Sequence, residues 1–267
     1  MPNPGSQPAP SSPRVRAIDL NCDIGESFGA WRMGADAEVM PWITSANIAC
    51  GFHAGDFSTM QHTVALAMRH GVAIGAHVSL PDLQGFGRRE LPVTADEAHA
   101  MTLYQIGALA AFARAAGARV AHVKPHGALY NMAAKNAALS QAIARAVRDV
   151  DENLILVGLA GSELPKAGTD AGLRVAHEAF ADRRYEPDGS LTPRSKPDAV
   201  IDDVDEAIAQ ALQIAADRCV TIRDGSTIEL TADTICVHGD RADAGMFARR
   251  LREALDRSGA LVRRLEP

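Results

Sequence analysis

The chain has 267 residues, 47% of them hydrophobic, enough for a domain with a sizeable buried core. Its 27 Lys and Arg against 33 Asp and Glu leave a formal net charge of −6. That balance argues against a nucleic-acid binder, because phosphate backbones are held by clustered cations. No apolar run approaches the roughly 18 residues that span a bilayer, so no membrane segment is expected. Residues 1–14, MPNPGSQPAPSSPR, are rich in Pro and Ser and have no apolar core of a secretory signal. They read as a disordered tail ahead of a single domain at 15–267. The next residues, Val15–Leu20, form the first β-rich apolar run.

A second run is Ser45–Cys50, and a helix is predicted over Asp56–His70, with Met60, Val64, Ala67 and Met68 on one face and Gly71 as its stop. The third run is Val72–Ala76. A second helix is predicted over Thr94–Ala116, opened by Thr94 with Glu97 three residues on, a capping-box pattern, and stopped at Gly117. Arg119–Val123, Leu154–Val157, Leu173–Ala176 and Thr234–Val237 complete seven strands, with further helices over Ala137–Val150 and Asp203–Ala216. Repeated strand–helix alternation favours a parallel sheet with helical crossovers, and seven units in one domain point to a closed or nearly closed barrel. Cys219–Leu230 differs: two β-rich segments flank Asp224-Gly225, a hairpin signal just before the last strand. Cys22, Cys50, Cys219 and Cys236 show no metal-type spacing, and Cys50 and Cys236 lie in apolar runs. Reduced thiols in a cytoplasmic protein are expected.

Polar and glycine motifs cluster where strands end. They are DLNCDIGE (19–26), ANIACGFHAGD (46–56), GAHVSLPD (75–82) with GFGRR (85–89), HVKPHGALYN (122–131), ADRRY (181–185) with DGSL (188–191), and ICVHGD (235–240). In a β/α barrel these ends meet on one face, where active sites are built. Together, and in this order, the motifs resemble the LamB/YcsF family, the A subunits of prokaryotic 5-oxoprolinase. The likeness runs from residue 17 to about 245. Departures are Phe57, where proline usually follows HAGD, and Val78 and Leu80, where GAHPSYPD is usual. The resemblance implies a seven-stranded β/α barrel of the glycoside hydrolase/deacetylase type, here with a small β-hairpin insertion near the C-terminus. It implies ATP-dependent opening of 5-oxo-L-proline (pyroglutamate) to L-glutamate, together with subunits B and C.

Opening an unactivated lactam needs a more electrophilic carbonyl, an activated water and a proton for the leaving nitrogen. ATP can supply the first by phosphorylating the carbonyl oxygen. The expected catalytic residues are Asp23, His53, His77, Lys124 and His126. Substrate contacts are expected from Asn21, Glu26, Asp56, Arg88, His238 and Asp240. Asp19, Asn21 and Asp23 alternate with Leu20 and Cys22, so they share one face, the barrel interior. Several residues have plain structural readings as well. Asp23 can cap a turn, Asn21 can tie down backbone, Glu26 can be a solvated loop charge and Asp56 can be a helix N-cap. Lys124, followed by Pro125, needs an anionic partner, which is either substrate or Asp23 or Glu178. Arg183, Arg184 and Asp182 suit loop salt bridges as well as substrate binding. His122 reads as a core residue, and His62, His70 and His99 as ordinary helix positions.

A divalent metal is possible through Asp23, His53 and His77, whose ligand types suit zinc, but no residue is assigned as a ligand. No G-x-x-x-x-G-K-[ST] or G-x-G-x-x-G phosphate cradle is present. The co-substrate ATP is therefore expected to be handled mainly by the partner subunits. Two other readings compete: a free-standing metal-dependent deacetylase or carbohydrate-processing hydrolase, and a non-catalytic scaffold of a lactam-utilising complex.

Overall fold

The computed structural model describes residues 17–239 and 243–266. The tail expected at 1–14 lies outside the described residues, and so does Asp240. In chain order the elements are β1 (Ala17–Ile24), α1 (Asp36–Val39), a 3-10 turn (Met40–Trp42), β2 (Ser45–Ala49), α2 (Phe57–His70), β3 (Ala73–Val78), α3 (Ala95–Ala115), β4 (Val120–Pro125), α4 (Gly127–Lys135), α5 (Ala137–Val150), β5 (Ile155–Leu159), α6 (Glu163–Asp170), β6 (Arg174–Phe180), α7 (Val204–Asp217), β7 (Cys219–Thr221), β8 (Thr227–Glu229), β9 (Thr234–Val237), α8 (Ala244–Arg257) and β10 (Leu261–Val262). Strands β1 to β6 pair in sequence order, all parallel, and β9 pairs with both β6 and β1. The result is the expected closed seven-stranded β/α barrel. The hairpin β7–β8 is antiparallel, with Cys219 opposite Glu229, and stands apart from the barrel.

Helix ends follow local capping chemistry. Asp56 accepts a hydrogen bond from the Thr59 N–H at 2.8 Å and starts α2, which ends at Gly71 in the left-handed region. Thr94 and Glu97 form a reciprocal capping box on α3. Asn136 and Asp203 cap α5 and α7 in the same way as Asp56.

Most barrel strands run further toward the C-terminal rim than the apolar pattern predicts. β1 continues to Ile24 rather than Leu20, β6 to Phe180 rather than Ala176, β4 to Pro125 rather than Val123, and β3 to Val78 rather than Ala76. The added residues include Asn21, Asp23, Lys124, His77 and Glu178. Being polar, they fall outside the apolar runs that mark the strands, and they face the barrel interior, as the alternation of Asn21 and Asp23 with Leu20 and Cys22 foresees. Their outward neighbours, Leu20, Cys22, Ile24, Ala76, Val78 and Val123, join one large apolar cluster with the surrounding helices. β10 is unforeseen; it adds two residues beside Ala17 and Ile18, too short a segment to show a period.

Gly75 is required by this architecture. A Cβ there would stand 1.9 Å from His122 Nε2, so only glycine lets the imidazole cross the interior. Gly127 is similarly constrained: its φ is +54°, and a Cβ would come 2.5 Å from the Gly87 carbonyl oxygen.

Candidate active site at the barrel mouth

The inward residues of β1, β2, β4, β6 and β9 form one hydrogen-bonded network. At its floor the Asp19 carboxylate, 1% exposed, accepts from Thr44 and Ser45 at 2.7 Å each and from Thr234 at 2.5 Å. Burial raises the Asp19 pKa above its usual value, and those hydroxyls counter the rise. One layer up, Asn21 donates to Thr234 at 2.6 Å and to Glu178 at 3.0 Å, while its oxygen accepts from Asn47 at 2.7 Å. Asn47 also donates to Asp23 at 2.9 Å and accepts from His122 Nε2 at 2.8 Å. These partners fix the orientation of both amides.

Lys124 lies at the centre. Its Nζ is 2.8 Å from Glu178 Oε1, 3.0 Å from Asp23 Oδ1 and 3.1 Å from Cys236 Sγ. Burial alone would lower the Lys124 pKa, but the facing Asp23 and Glu178 carboxylates hold it well above the usual lysine range. Tyr130 donates to the other Glu178 oxygen at 2.7 Å. The anionic partners foreseen for Lys124 are thus both present. Asp23 is pulled the other way: burial would raise its pKa, yet His77 and Lys124 together hold it well below the usual carboxylate range.

Above Asp23 sits a group of imidazoles. His77 Nδ1 donates to the Lys124 carbonyl oxygen at 2.9 Å, and its Nε2 lies 3.2 Å from Asp23 Oδ2 and 3.0 Å from His126 Nδ1. His126 Nε2 donates to the Phe86 carbonyl oxygen at 2.8 Å. His53 stacks on His126 with ring centroids 3.9 Å apart, and its Nε2 is 3.7 Å from Glu26 Oε1. Glu26, His53, His77 and His126 bring their ligand atoms within 4.8 Å of one another, so they are a candidate cation-binding set. The grouping differs from the one foreseen: His126 and Glu26 join His53 and His77, while Asp23 abuts them through His77.

A cavity of about 520 Å³ opens over these groups. Asp23, Glu26, His77, Lys124 and His126 line its base, and Arg88, Arg183, Arg194, Tyr130, Phe180 and His238 line its walls. His238 Nδ1 donates to Asp182 at 2.7 Å, which leaves Nε2 3.2 Å from Arg194 Nη2. Arg183 is tied by its own side chain to the Ala199 and Thr192 carbonyls. Burial lowers its pKa to about 10, leaving it cationic at neutral pH.

Of the residues expected at the site, Asp23, His53, His77, Lys124, His126, Asn21, Glu26, Arg88 and His238 gather at or beneath this mouth. Asp56 does not join them; its carboxylate is taken by the Thr59 and Gly29 N–H groups at the start of α2. Arg89 turns outward to pair with Asp82. His122 lies deep, as expected of a core residue, and His99 pairs with Asp149 on the outside. Sequence reasoning missed Asn47 and Tyr130 and gave Glu178 no role beyond a partner for Lys124. A period of two carried through the polar residues, Ser45 to Asn47 and Thr234 to Cys236 to His238, would have found the first.

The LamB/YcsF family model matches residues 18–267. The A subunit of 5-oxoprolinase from Bordetella parapertussis is 61% identical over 92% of this chain and 98% of its own length. Its counterpart in Methylococcus capsulatus is 60% identical over 93% of this chain and 95% of its own. Among solved structures, the lactam utilization protein from Thermus thermophilus superposes with a TM-score of 0.89 at 46% identity, covering 93% of this chain and 100% of that one. The motifs that line the mouth, the barrel that carries them and these matches agree: the chain belongs to the LamB/YcsF family.

Proposed function

We propose that this chain is the lactam-opening component of an ATP-dependent 5-oxoprolinase, working as its A subunit with subunits B and C in the cytoplasm. The observation that carries this reading is the Asp23 carboxylate, 3.0 Å from Lys124 Nζ and 3.2 Å from His77 Nε2, at the base of a cationic cavity, in a chain whose relatives of nearly equal length bear that name. 5-Oxo-L-proline is a small carboxylate, and Arg88, Arg183 and Arg194 give its anion a complementary wall.

Phosphoryl transfer from ATP to the lactam oxygen makes the ring carbon electrophilic. Water then adds to that carbon, the C–N bond breaks, the nitrogen takes a proton, and a second water releases phosphate. Asp23 Oδ1 is held by Lys124 and Asn47, so Oδ2 is the oxygen turned to the imidazoles and available to orient the attacking water. Because, despite burial, His77 and Lys124 hold the Asp23 pKa well below the usual carboxylate range, its part is to align and polarise that water rather than to store its proton. His238, held between Asp182 and Arg194, stands on the wall as a substrate contact, and the departing nitrogen takes its proton from the attacking water.

The chain lacks a standard phosphate cradle, so B and C handle the nucleotide and this subunit receives the activated lactam. A cytoplasmic setting accords with four free cysteines, and among the described residues no helix is long and apolar enough to cross a membrane.

The test is glutamate formation from 5-oxoproline and ATP by the three subunits. Asp23→Asn is expected to slow it at least about 100-fold with folding intact. Full activity in that variant would leave only the scaffold reading, and turnover by this chain alone without ATP would favour a free-standing hydrolase.

A further inference from the structure

His77 and His126 each spend one ring nitrogen on a backbone carbonyl, which can only accept. His77 Nδ1 lies 2.9 Å from the Lys124 oxygen and His126 Nε2 lies 2.8 Å from the Phe86 oxygen, so both rings carry hydrogen at those positions. In the neutral rings the other two nitrogens, His77 Nε2 and His126 Nδ1, are bare, yet they face each other at 3.0 Å. Asp23 Oδ2 closes on the same His77 nitrogen at 3.2 Å. Three lone-pair groups therefore converge with no donor among them, which is repulsive unless a positive species joins them. Beside them His53 is 1% exposed, and neither of its ring nitrogens has a hydrogen-bond partner. A buried imidazole with both nitrogens unspent is costly unless a ligand takes one.

From this geometry we propose that His53, His77, His126 and Glu26 form a binding site for one first-row divalent metal ion of the zinc class. Two nitrogens on a tetrahedral ion at about 2.0–2.1 Å stand about 3.4 Å apart. The 3.0 Å between His77 and His126 needs only a slight opening to match. Three imidazoles with one carboxylate select zinc or cobalt over magnesium or calcium, which prefer all-oxygen shells. The backbone carbonyls that fix His77 and His126 are the outer partners that orient metal-binding imidazoles elsewhere. An ion held here would present a Lewis acid to the base of the cavity. The competing arrangement puts a proton on His77 Nε2, making it an imidazolium between Asp23 and His126. The site stands or falls independently of the lactam reading, since metal binding needs no substrate.

The full-length chain, stripped with a chelator, is titrated with Zn²⁺ by calorimetry, with elemental analysis after dialysis. One zinc per chain is expected, no comparable heat with Mg²⁺, and with Co²⁺ the visible bands of a four-coordinate ion. His53→Ala and Glu26→Gln should each weaken Zn²⁺ at least about tenfold. His99→Gln, on the outside of the barrel where it pairs with Asp149, should bind as the parent does. Thermal melts confirm that each variant is folded. The proposal is overturned if the parent takes up no stoichiometric zinc or if the variants bind it equally well. It is also overturned if ¹⁵N spectra show His77 protonated on both nitrogens with and without zinc.

Discussion

The barrel wall separates two interiors built on opposite principles. Between the strands and the helices, Leu156, Ile48, Leu109, Ile143 and Leu251 belong to one continuous apolar cluster, in which each of these side chains is fully buried. Cohesion there is non-directional and spread over many contacts, so a lost methylene costs in proportion to the cavity left behind. Inside the barrel, Asp19, Asn21, Asp23, Asn47, His122, Lys124, Glu178 and Thr234 form the opposite case, where every link is a directed bond between two named atoms. Stability there is concentrated and depends on charge balance. Only the C-terminal end of this polar interior opens to the cavity, so the costly groups lead to the place where chemistry is expected.

The contrast can be tested by substitution. Lys124→Met should give the largest loss, about 3–5 kcal/mol in urea unfolding, because Asp23 and Glu178 would be left facing each other without a cation. Leu156→Ala, fully buried on the other side of the same wall, should cost about 2–5 kcal/mol through its cavity alone. The two should differ in pH dependence: the first loss shrinks in acid as the carboxylates are protonated, and the second does not. If both losses were small and insensitive to pH, the division between the two interiors would be wrong.

A smaller effect comes from His122. Burial, then Lys124, lowers its pKa from 6.5 to about 3. Between those values the unfolded chain binds a proton that the folded chain refuses, so stability falls as pH drops. The slope from this residue is about 1.4 kcal/mol per pH unit, starting near pH 6.5. Stability measured from pH 7 to 4 should flatten by that amount in His122→Asn, provided the variant folds. The smallest loss, about 1 kcal/mol, belongs to Thr94→Ala, which removes a capping box at the start of α3 and touches neither interior. It should lower the melting temperature and leave metal binding and glutamate formation unchanged.

The outer layer is the easier of the two to read from sequence. Apolar runs and capping residues locate seven strands and four helices, because burial against helices leaves a visible period and caps are local chemistry. The inner layer is legible only in part. Asp19, Asn21 and Asp23 stand out as one face, since alternation with Leu20 and Cys22 is short-range. Asn47 and Tyr130 do not, because nothing local marks an amide or phenol as the partner of a residue more than twenty or forty positions away. Asp56 misleads for the opposite reason: one carboxylate type serves both a helix start and a binding site, and only the Thr59 and Gly29 contacts decide between them. The imidazoles are each noticeable separately. That His126 rather than Asp23 completes the set with His53 depends on the turn at Gly87 and Gly127, which stack two loops at backbone contact.

The run of bonds from His122 through Asn47 and Asn21 to Thr234 and Asp19 has a single sense, each donor pointing onward to the next acceptor. Asn47→Asp would be invisible by size, yet it would take two donors from the middle of that sequence and set a new anion against Asp23. Shape-preserving exchanges are therefore the hazardous ones inside this barrel, and any drift that survives there must come as paired changes at linked positions.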